Sequence, residues 1–555
     1  MVDSEIASNP MDSAASPLTG ADSAPSRWTG ARPRELQVTP FWLRAQTLPA
    51  HVPRTLGAWL VVLLWASWLG VNLAISRHSV FATVRDGDEY VPLLGCGTNR
   101  EFWRGPDAAC GVDAALCAHP PGGRLKFRCP AHCSSEGHTY QHWPVGNTSL
   151  MRETVVVGSG VYRGDSFICP AAIHAGIVSP VTGGCGELEW LGPHANFSSS
   201  VGAGGWPSTA FDADFPLNFR FVDTDLAAGC HDLRGVQIGI NVLYIYLAAY
   251  LVTHPALFLG TLGTFGFWTV ALAGNVPFRT GTPPRNHEFV SREFARFLPF
   301  CLGLVYVYHF AAKPQLKNMP ASLSRALFYG TGFVLGVLEN YVFGAIPIDR
   351  IIVSDLNAQP GAWLALGIVI AVILAAAAGQ AYGFWLAGKL RVYASGYGLV
   401  IFGLVVLASI PGQTLRLHHY ILGLVLLPGT SLRTTPSLFF QGLLTGLYTS
   451  GVARWDFDSI LQTADQLGRG DALAGATDPT DLGAAGPLAL KWTAHPTENF
   501  NLVSVIVNDV ERARVPADVG ELALDPWASP LMYVRIAAAS QTETGRFSDP
   551  IVFTH

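Results

Sequence analysis

The sequence predicts a multi-pass α-helical membrane protein of about nine spans, with a disulfide-rich α+β domain outside the cytoplasm and a small carboxy-terminal β-sandwich. Three observations predict it. Only 14% of the 555 residues are charged and half are apolar, against about 25% charged in an average soluble protein. Long stretches without Asp, Glu, Lys or Arg recur along the chain. Eight of the nine cysteines (Cys96, Cys110, Cys117, Cys129, Cys133, Cys169, Cys185 and Cys230) crowd between the first two such stretches, and only Cys301 lies elsewhere. The net charge of -5 argues against a nucleic-acid partner.

Residues 1–54 are rich in Ser, Ala and Pro without apolar period and read as a disordered tail, not as a cleavable signal peptide. Residues 55–76 hold no charge and are long enough for one crossing. Arg27, Arg32, Arg34, Arg44 and Arg54 precede this anchor, so the positive-inside bias places the amino terminus in the cytoplasm and the cysteine-rich loop outside. An even cysteine count in one loop implies four disulfides and an oxidising compartment. Zinc on Cys129, His132 and Cys133 is the alternative. The sequons at Asn147 and Asn196 fall in the same loop and fit passage through the secretory pathway: ER, Golgi, vacuole or plasma membrane.

The polytopic region runs over residues 235–453. No Asp, Glu, Lys or Arg occurs between Arg234 and Arg279, and His254-Pro255 divides that tract into two spans. Further spans are expected at Phe297–Ala312, Ala326–Ile348, Ala362–Leu386, Val392–Pro411, Leu417–Leu432 and Thr434–Val452. The 417–452 region reads alternatively as one crossing plus a re-entrant segment. Lys313, Lys317, Arg325, Lys389, Arg391 and Arg433 then fall on the cytoplasmic side. Arg279, Arg285, Arg292 and Arg296 fall outside, with Glu288 and Glu293 as partners or with the span count in error. Residues 455–487 read as a linker. Residues 488–555 alternate in short β-type runs separated by turns and suggest a small sandwich.

Residues 162–178, YRGDSFICPAAIHAGIV, resemble the signature of the LCCL domain at Tyr162, Ser166, Cys169, Ala171, Ala172, His174, Gly176 and Ile177. Cys129-Pro130-Ala131-His132-Cys133 resembles that family's paired-cysteine segment, and Phe219-Arg220-Phe221 a later strand, so the likeness covers residues 93–222. It implies a central helix wrapped by strands. It also implies that Cys133 bonds Cys169 and that Cys129 bonds Cys110 or Cys117. Cys185 and Cys230 are then free to pair, leaving Cys96 for the remaining cysteine. An LCCL module followed by several spans resembles a group of fungal membrane proteins. The end of the chain resembles a fibronectin type III module, with Trp492 on an early strand and Tyr533–Ala537 on a later one. At 68 residues it is short, which places a first strand in the linker or leaves it out.

From the residues themselves, Ala171, Ala172 and Ala175 allow close helix packing, Gly176 suits a helix end, and His174 reads as a hydrogen-bonded core histidine. Polar groups at membrane depth are Glu339, Asn340, His418 and His419, with His309, Gln380 and Gln441; they either bond across helices or mark an ion or proton path. Gly260, Gly332, Gly336 and Gly446 read as helix-packing points. An intramembrane metal hydrolase would need ligands converging at helical spacing, which adjacent His418 and His419 with Asp456 and Asp458 do not offer. Gly202–Gly205 lacks the Lys-Ser/Thr of a nucleotide cradle. No cofactor and no catalytic residue is expected. The expected partners are the lipid bilayer and a lipid, polysaccharide or protein ligand outside the cytoplasm.

Overall fold

The apolar stretches fold as helices and the cysteine-rich and terminal stretches as sheets, in two compact units. The computed structural model describes residues 43–97, 102–103, 110–133, 139, 142–151, 153–224, 226, 230–274, 286–317, 319, 321–344, 346–348, 356–357, 359–462, 483–486, 489–492, 501–523, 531–541, 544–545, 547–552 and 553–554. Residues 1–42 of the expected tail, Arg279, Arg285 and most of the expected linker lie outside them; the end of that tail is not disordered but forms the Leu43–His51 helix, tied by Gln46 to Ser324. One unit comprises Met1–Ile75, Val236–Asn275 and His287–Leu461; the other comprises Ser76–Gly235 and Gln462–His555 with Val276–Asn286.

Among the described residues of the helical unit, five helices are long and apolar enough to cross a membrane, not nine: Arg54–His78, Pro255–Ala273, Asn286–Leu316, Ala362–Leu386 and Leu390–Ala408. The expected Phe297–Ala312 span lies inside the 31-residue third helix, which passes through a π-helical turn at Tyr308–Ala312. The other expected spans fall short for physical reasons. Arg234–Leu251 carries buried Arg234, Gln237 and Asn241. The 326–348 stretch breaks into a π-helical turn, Thr331–Val337 and Glu339–Val342, with Leu338 kinked between the last two. The 417–432 stretch is an eight-residue helix, His419–Leu426, followed by a 3-10 turn. Thr435–Trp455 is long enough, but Gln441, Thr445, Thr449 and Ser450 line its buried face. The break at His254-Pro255 stands where expected, with His254 as N-cap of the helix that Pro255 opens.

Thr331–Val337 packs on Thr435–Trp455 through glycines. A Cβ on Gly332 would stand 2.2 Å from Phe439 O, one on Gly336 2.3 Å from Leu443 O, and one on Gly446 2.3 Å from Phe333 O. The backbones touch, which is what small residues permit at helix crossings. Gly260 has nothing within 4 Å of that position, so it is not a packing point. The unexpected arginine loop is partly neutralised: Glu293 lies 3.6 Å from Arg292 and 3.5 Å from Arg296, and Arg296 reaches Asp456 at 3.2 Å.

In the other unit, a five-stranded antiparallel sheet has the order Arg124–Cys129, Gly184–Leu191, Asn218–Val222, Val161–Arg163, Gly158–Ser159. The fully buried Ile168–His174 helix lies in the same core. Disulfides join Cys96–Cys133, Cys110–Cys117, Cys129–Cys169 and Cys185–Cys230. Three of these differ from the pairing implied by resemblance. Cys129 shares the core-facing side of its strand with Phe127, so it meets the helix at Cys169. Cys133 lies past the turn at Pro130, while Leu93 and Leu94 run alongside Arg128 and bring Cys96 to it. Cys110 and Cys117 close on each other around a 3-10 turn at Val112–Ala114. Cys129 and Cys133 are thus both spent on bridges, and the zinc alternative has lost its thiolates.

The carboxy-terminal segment forms two sheets over one core: three strands (Gly483–Gly486, Ala489–Lys491, Glu521–Ala523) and four (Val510–Pro516, Leu502–Val507, Leu531–Ala539, Ile551–Thr554). The first strand lies inside the stretch read as linker. Trp492 directly follows the second, buried, its indole donating to Ala517 O at 3.3 Å.

Two outcomes check this fold. Peptide mapping under non-reducing conditions returns the four pairs above, with Cys301 unbridged. Gly446→Val destabilises the detergent-solubilised chain by roughly 1–3 kcal/mol, the range for overpacking, whereas Gly260→Val leaves its thermal midpoint unchanged.

Candidate functional site

The motif residues build the centre of the disulfide-bonded module. Tyr162 is buried on its strand and its hydroxyl meets His174 Nδ1 at 2.8 Å; burial raises the phenol pKa to about 12, so it stays neutral. His174 Nε2 faces Ser200, at 3.3 Å from its carbonyl and 3.2 Å from its hydroxyl. The ring ties helix, strand and the 200-loop together. Ser166 Oγ accepts from Val157 N at 3.0 Å. Ala171 and Ala172 are fully buried. Gly176 (φ 77°) ends the helix in the left-handed region, with the amides of Gly176 and Ile177 closing on Ile173 O and Ala172 O. Ile177 is exposed.

A carboxylate clamps the module's two ends. Asp232 accepts from the Ser79 hydroxyl, Ala131 N (2.9 Å), Arg234 N (3.1 Å) and Arg234 Nε (2.5 Å). Burial pushes its pKa upward, but Arg234 and these donors outweigh burial and hold it below the usual carboxylate range.

The second constellation joins the module to the carboxy-terminal sandwich. Arg163, fully buried, holds Asp165 through two bonds (Nε–Oδ1 2.8 Å, Nη2–Oδ2 2.7 Å), donates to Pro144 O at 3.0 Å, and places Nη1 2.7 Å from Asp509 Oδ2. Its guanidinium lies over Phe211 and Phe215 at 4.6 and 4.8 Å. Asp509 also accepts from Gly146 N at 2.8 Å. Its neighbour Asn508 donates to Asp214 at 2.7 Å and accepts from Tyr533 N at 3.0 Å. Arg535 donates to Gly146 O (2.7 Å) and Thr148 O (2.9 Å). Desolvation works against the Arg163 charge, but Asp165 and Asp509 outweigh it and raise its pKa; burial pushes that of Asp509 up against the pull of Arg163. Removing one partner of such a buried pair costs about 3–5 kcal/mol.

Asn508 and Asp509 both have positive φ (51° and 63°), as in a two-residue hairpin loop of type I′. Gly146 (φ 58°) opens the facing turn, and a Cβ there would stand 3.0 Å from the Tyr533 ring. Sequence reading missed Arg163, Asp165, Asp232, Asn508, Asp509 and Arg535. The Asn-Asp pair between two alternating runs was the available signal for the hairpin, and nothing local marks its docking.

Within the helical unit, Glu339 is buried and meets His419 Nδ1 at 2.8 Å, while His418 Nε2 faces Ser459 O at 3.2 Å, so the adjacent rings serve different partners. Gln380 accepts from Ser437 at 2.6 Å. Asn340 stands beside Glu339 without joining its bond to His419, and Asp456 pairs with Arg296. Among the described residues, no three His, Cys, Asp or Glu side chains gather as a metal site. The sequon residues Asn147 and Asn196 are both exposed.

A sheet with a buried Cys-Pro-Ala-Ala-Ile-His helix pinned by a disulfide defines an LCCL domain-containing protein, and residues 109–212 match the LCCL domain family. The chain is similar to Uncharacterized protein YIL067C of Saccharomyces cerevisiae, 36% identical over 454 residues. That alignment covers 77% of this chain and 66% of the relative, just under two thirds of its length.

The Asp232 clamp carries a pH dependence. A folded pKa below the unfolded value of about 3.9 contributes stability above that value, lost as pH falls through the folded one. Asp232→Asn therefore destabilises the chain at pH 7 by roughly 1–3 kcal/mol, read as a lower thermal midpoint, and its deficit against the parent shrinks as the pH is taken into the acid range.

Proposed function

We propose that this chain is an integral membrane protein that displays its LCCL domain on the extracytoplasmic side of the secretory pathway, for non-enzymatic recognition of a lipid, polysaccharide or protein ligand. The observation that carries the reading is the union of four disulfides in one module with five long apolar helices elsewhere among the described residues. Thiol bridges belong to oxidising compartments. The Ala362–Leu386 and Leu390–Ala408 helices are 6% and 0% buried over their apolar windows, exposing Leu364, Leu374, Leu399, Phe402 and Val405. An aqueous protein does not present so much continuous apolar surface; lipid accounts for it. The five-stranded sheet and its helix offer a rigid scaffold, and the module's motif residues are spent on packing, which speaks for binding and not catalysis. The terminal sandwich, with its early tryptophan and, among the described residues, seven strands in two sheets, supports the likeness to a fibronectin type III module.

Ion- or proton-coupled transport is the second reading, and the buried Glu339–His419 pair is the observation in its favour. The satisfied hydrogen bond equally serves helix packing.

Expression in a eukaryotic host separates these readings. Asn147→Gln and Asn196→Gln each remove one glycan step in gel mobility; a parent chain insensitive to deglycosylation sinks the lumenal placement. The solubilised full chain is retained by at least one of three immobilised probes: anionic phospholipid vesicles, β-glucan or chitin. Retention vanishes in the Cys129→Ser/Cys169→Ser chain and persists in Glu339→Gln. Loss of dye-reported proton flux in Glu339→Gln proteoliposomes, with glycosylation intact, would favour transport.

A further inference from the structure

We infer that the carboxy-terminal sandwich is a cis partner of the LCCL domain, latched by the Asn508–Asp509 hairpin tip in a carboxylate-receiving notch made by Arg163 and the Gly146 amide, so that the carboxy terminus returns to the LCCL side of the membrane. The sidedness part rests on the membrane reading above; the latch does not.

The notch is specific in chemistry. Arg163 has no exposed surface, and its free edge together with Gly146 N forms two converging donors at 2.7 and 2.8 Å from one oxygen of Asp509. Asp165 has taken the other side of the guanidinium, so the notch accepts one further anion. The group that enters is the tip of a tight hairpin whose backbone only a two-residue loop with positive φ at both positions supplies. Around it, Val510 and Tyr533 join the same apolar core as Phe211, Phe215 and Tyr162, and Leu531 packs against it. Arg512 adds a bond to Asp113 at 2.8 Å. Arg163 and Arg535 offset the buried Asp165 and Asp509, and Asp214 takes the Asn508 amide beside them. Such a buried, charge-paired and partly apolar junction is the mark of a lasting interface, not of a passing encounter.

The latch fixes crossing parity. The chain leaves the LCCL-bearing unit at Gly235 and, Val276–Asn286 apart, re-enters it at Gln462, so it crosses the bilayer an even number of times between. The four long apolar helices after Arg234 are even in number, but crossing alone they would set the paired Arg296 and Asp456 on opposite sides. Eight crossings, with Arg234–Leu251, the broken 322–342 segment, His419–Thr430 and Thr435–Trp455 included, meet both the parity and the contacts inside the helical unit. Arg296–Asp456, His419–Glu339 and Tyr420 OH–Asp458 O gather one set of helix ends. Gln46–Ser324, Tyr250 OH–Ala45 O, Gln315–Thr430 O and Arg433–Lys317 O gather the alternate set.

Two experiments on the full chain test it. In the first, an Asn-Gly-Thr acceptor on a flexible tail after His555 is added to the Asn147→Gln/Asn196→Gln chain. One glycan step, reversed by deglycosylation, is expected. An unmodified tail, in a host that glycosylates Asn147 or Asn196 of the parent, overturns the sidedness. An unmodified parent instead overturns the lumenal placement itself, and the sidedness with it. In the second, a site-specific protease sequence is placed within residues 470–480 and cleaved in mild detergent. The carboxy-terminal fragment co-purifies with the LCCL-bearing fragment, and Asp509→Lys releases it; Asp509→Asn, which keeps the shape, releases less. Separation of the parent fragments on cleavage, or full retention in Asp509→Lys, overturns the latch.

Discussion

The Arg163 guanidinium is the point on which the disulfide-bonded unit depends. It sits without exposure against two phenylalanine rings and spends its donors on Asp165, Asp509 and Pro144 O. A buried charge of this kind survives only when its partners are held in place. Everything around it does that holding. The Gly158–Arg163 hairpin carries it, the 143–150 hairpin supplies a carbonyl and an amide, and the terminal sandwich delivers the second carboxylate. Segments 346 residues apart in sequence thereby become one structural unit.

The disulfides and the Asp232 clamp solve a different problem. The module, inserted between two helices, has an apolar core of its own around Phe127, Ile168, Phe215 and Phe219, and the bridges fasten its periphery to that core. Cys129–Cys169 ties the sheet to the buried helix, Cys96–Cys133 ties in the strand that leads from the first long helix, and Cys185–Cys230 ties the last loop back to the sheet. Each bridge limits the unfolded chain. Asp232 then binds the entering Ser79 and the departing Arg234 to the Ala131 amide, so both ends of the module share one carboxylate. The helical unit relies on other means. Its closest helix pair is held by glycines whose backbones touch, and its polar side chains find partners across helices, as Glu339 does with His419 and Tyr329 with Thr445.

Much of this could be read from sequence where the signal is local or compositional. The apolar tract after Arg234, its break at His254-Pro255, the cysteine-rich loop, the LCCL motif and the alternating terminal runs each depend on short-range periodicity or residue type. The core role of His174 follows from an apolar helical context. Reading failed where an outcome depends on partners distant in sequence. The disulfide pairing turned on which face of a strand Cys129 occupies and where a turn leaves Cys133. Among the described residues the number of long apolar helices fell to five because kinks, a helix of only eight residues at His419–Leu426 and buried polar faces interrupt tracts that composition alone joins. The likeness to a fibronectin type III module left a first strand either in the linker or absent, and only the structure finds it there, at Gly483–Gly486, its backbone paired with the next strand.

By itself the sequence determined the classes of material in the chain: apolar helices, an oxidised module with an LCCL signature, and a β-rich end. These follow from transfer of side chains between water and apolar surroundings and from the chirality of the backbone, which act residue by residue. Only the tertiary structure decided that the β-rich end seats its Asn508–Asp509 turn against Arg163, that one carboxylate closes the module, and which sulfurs meet. Those outcomes rest on hydrogen bonds and ion pairs, whose energies depend on a few tenths of an ångström between groups that the chain brings together only once it has folded.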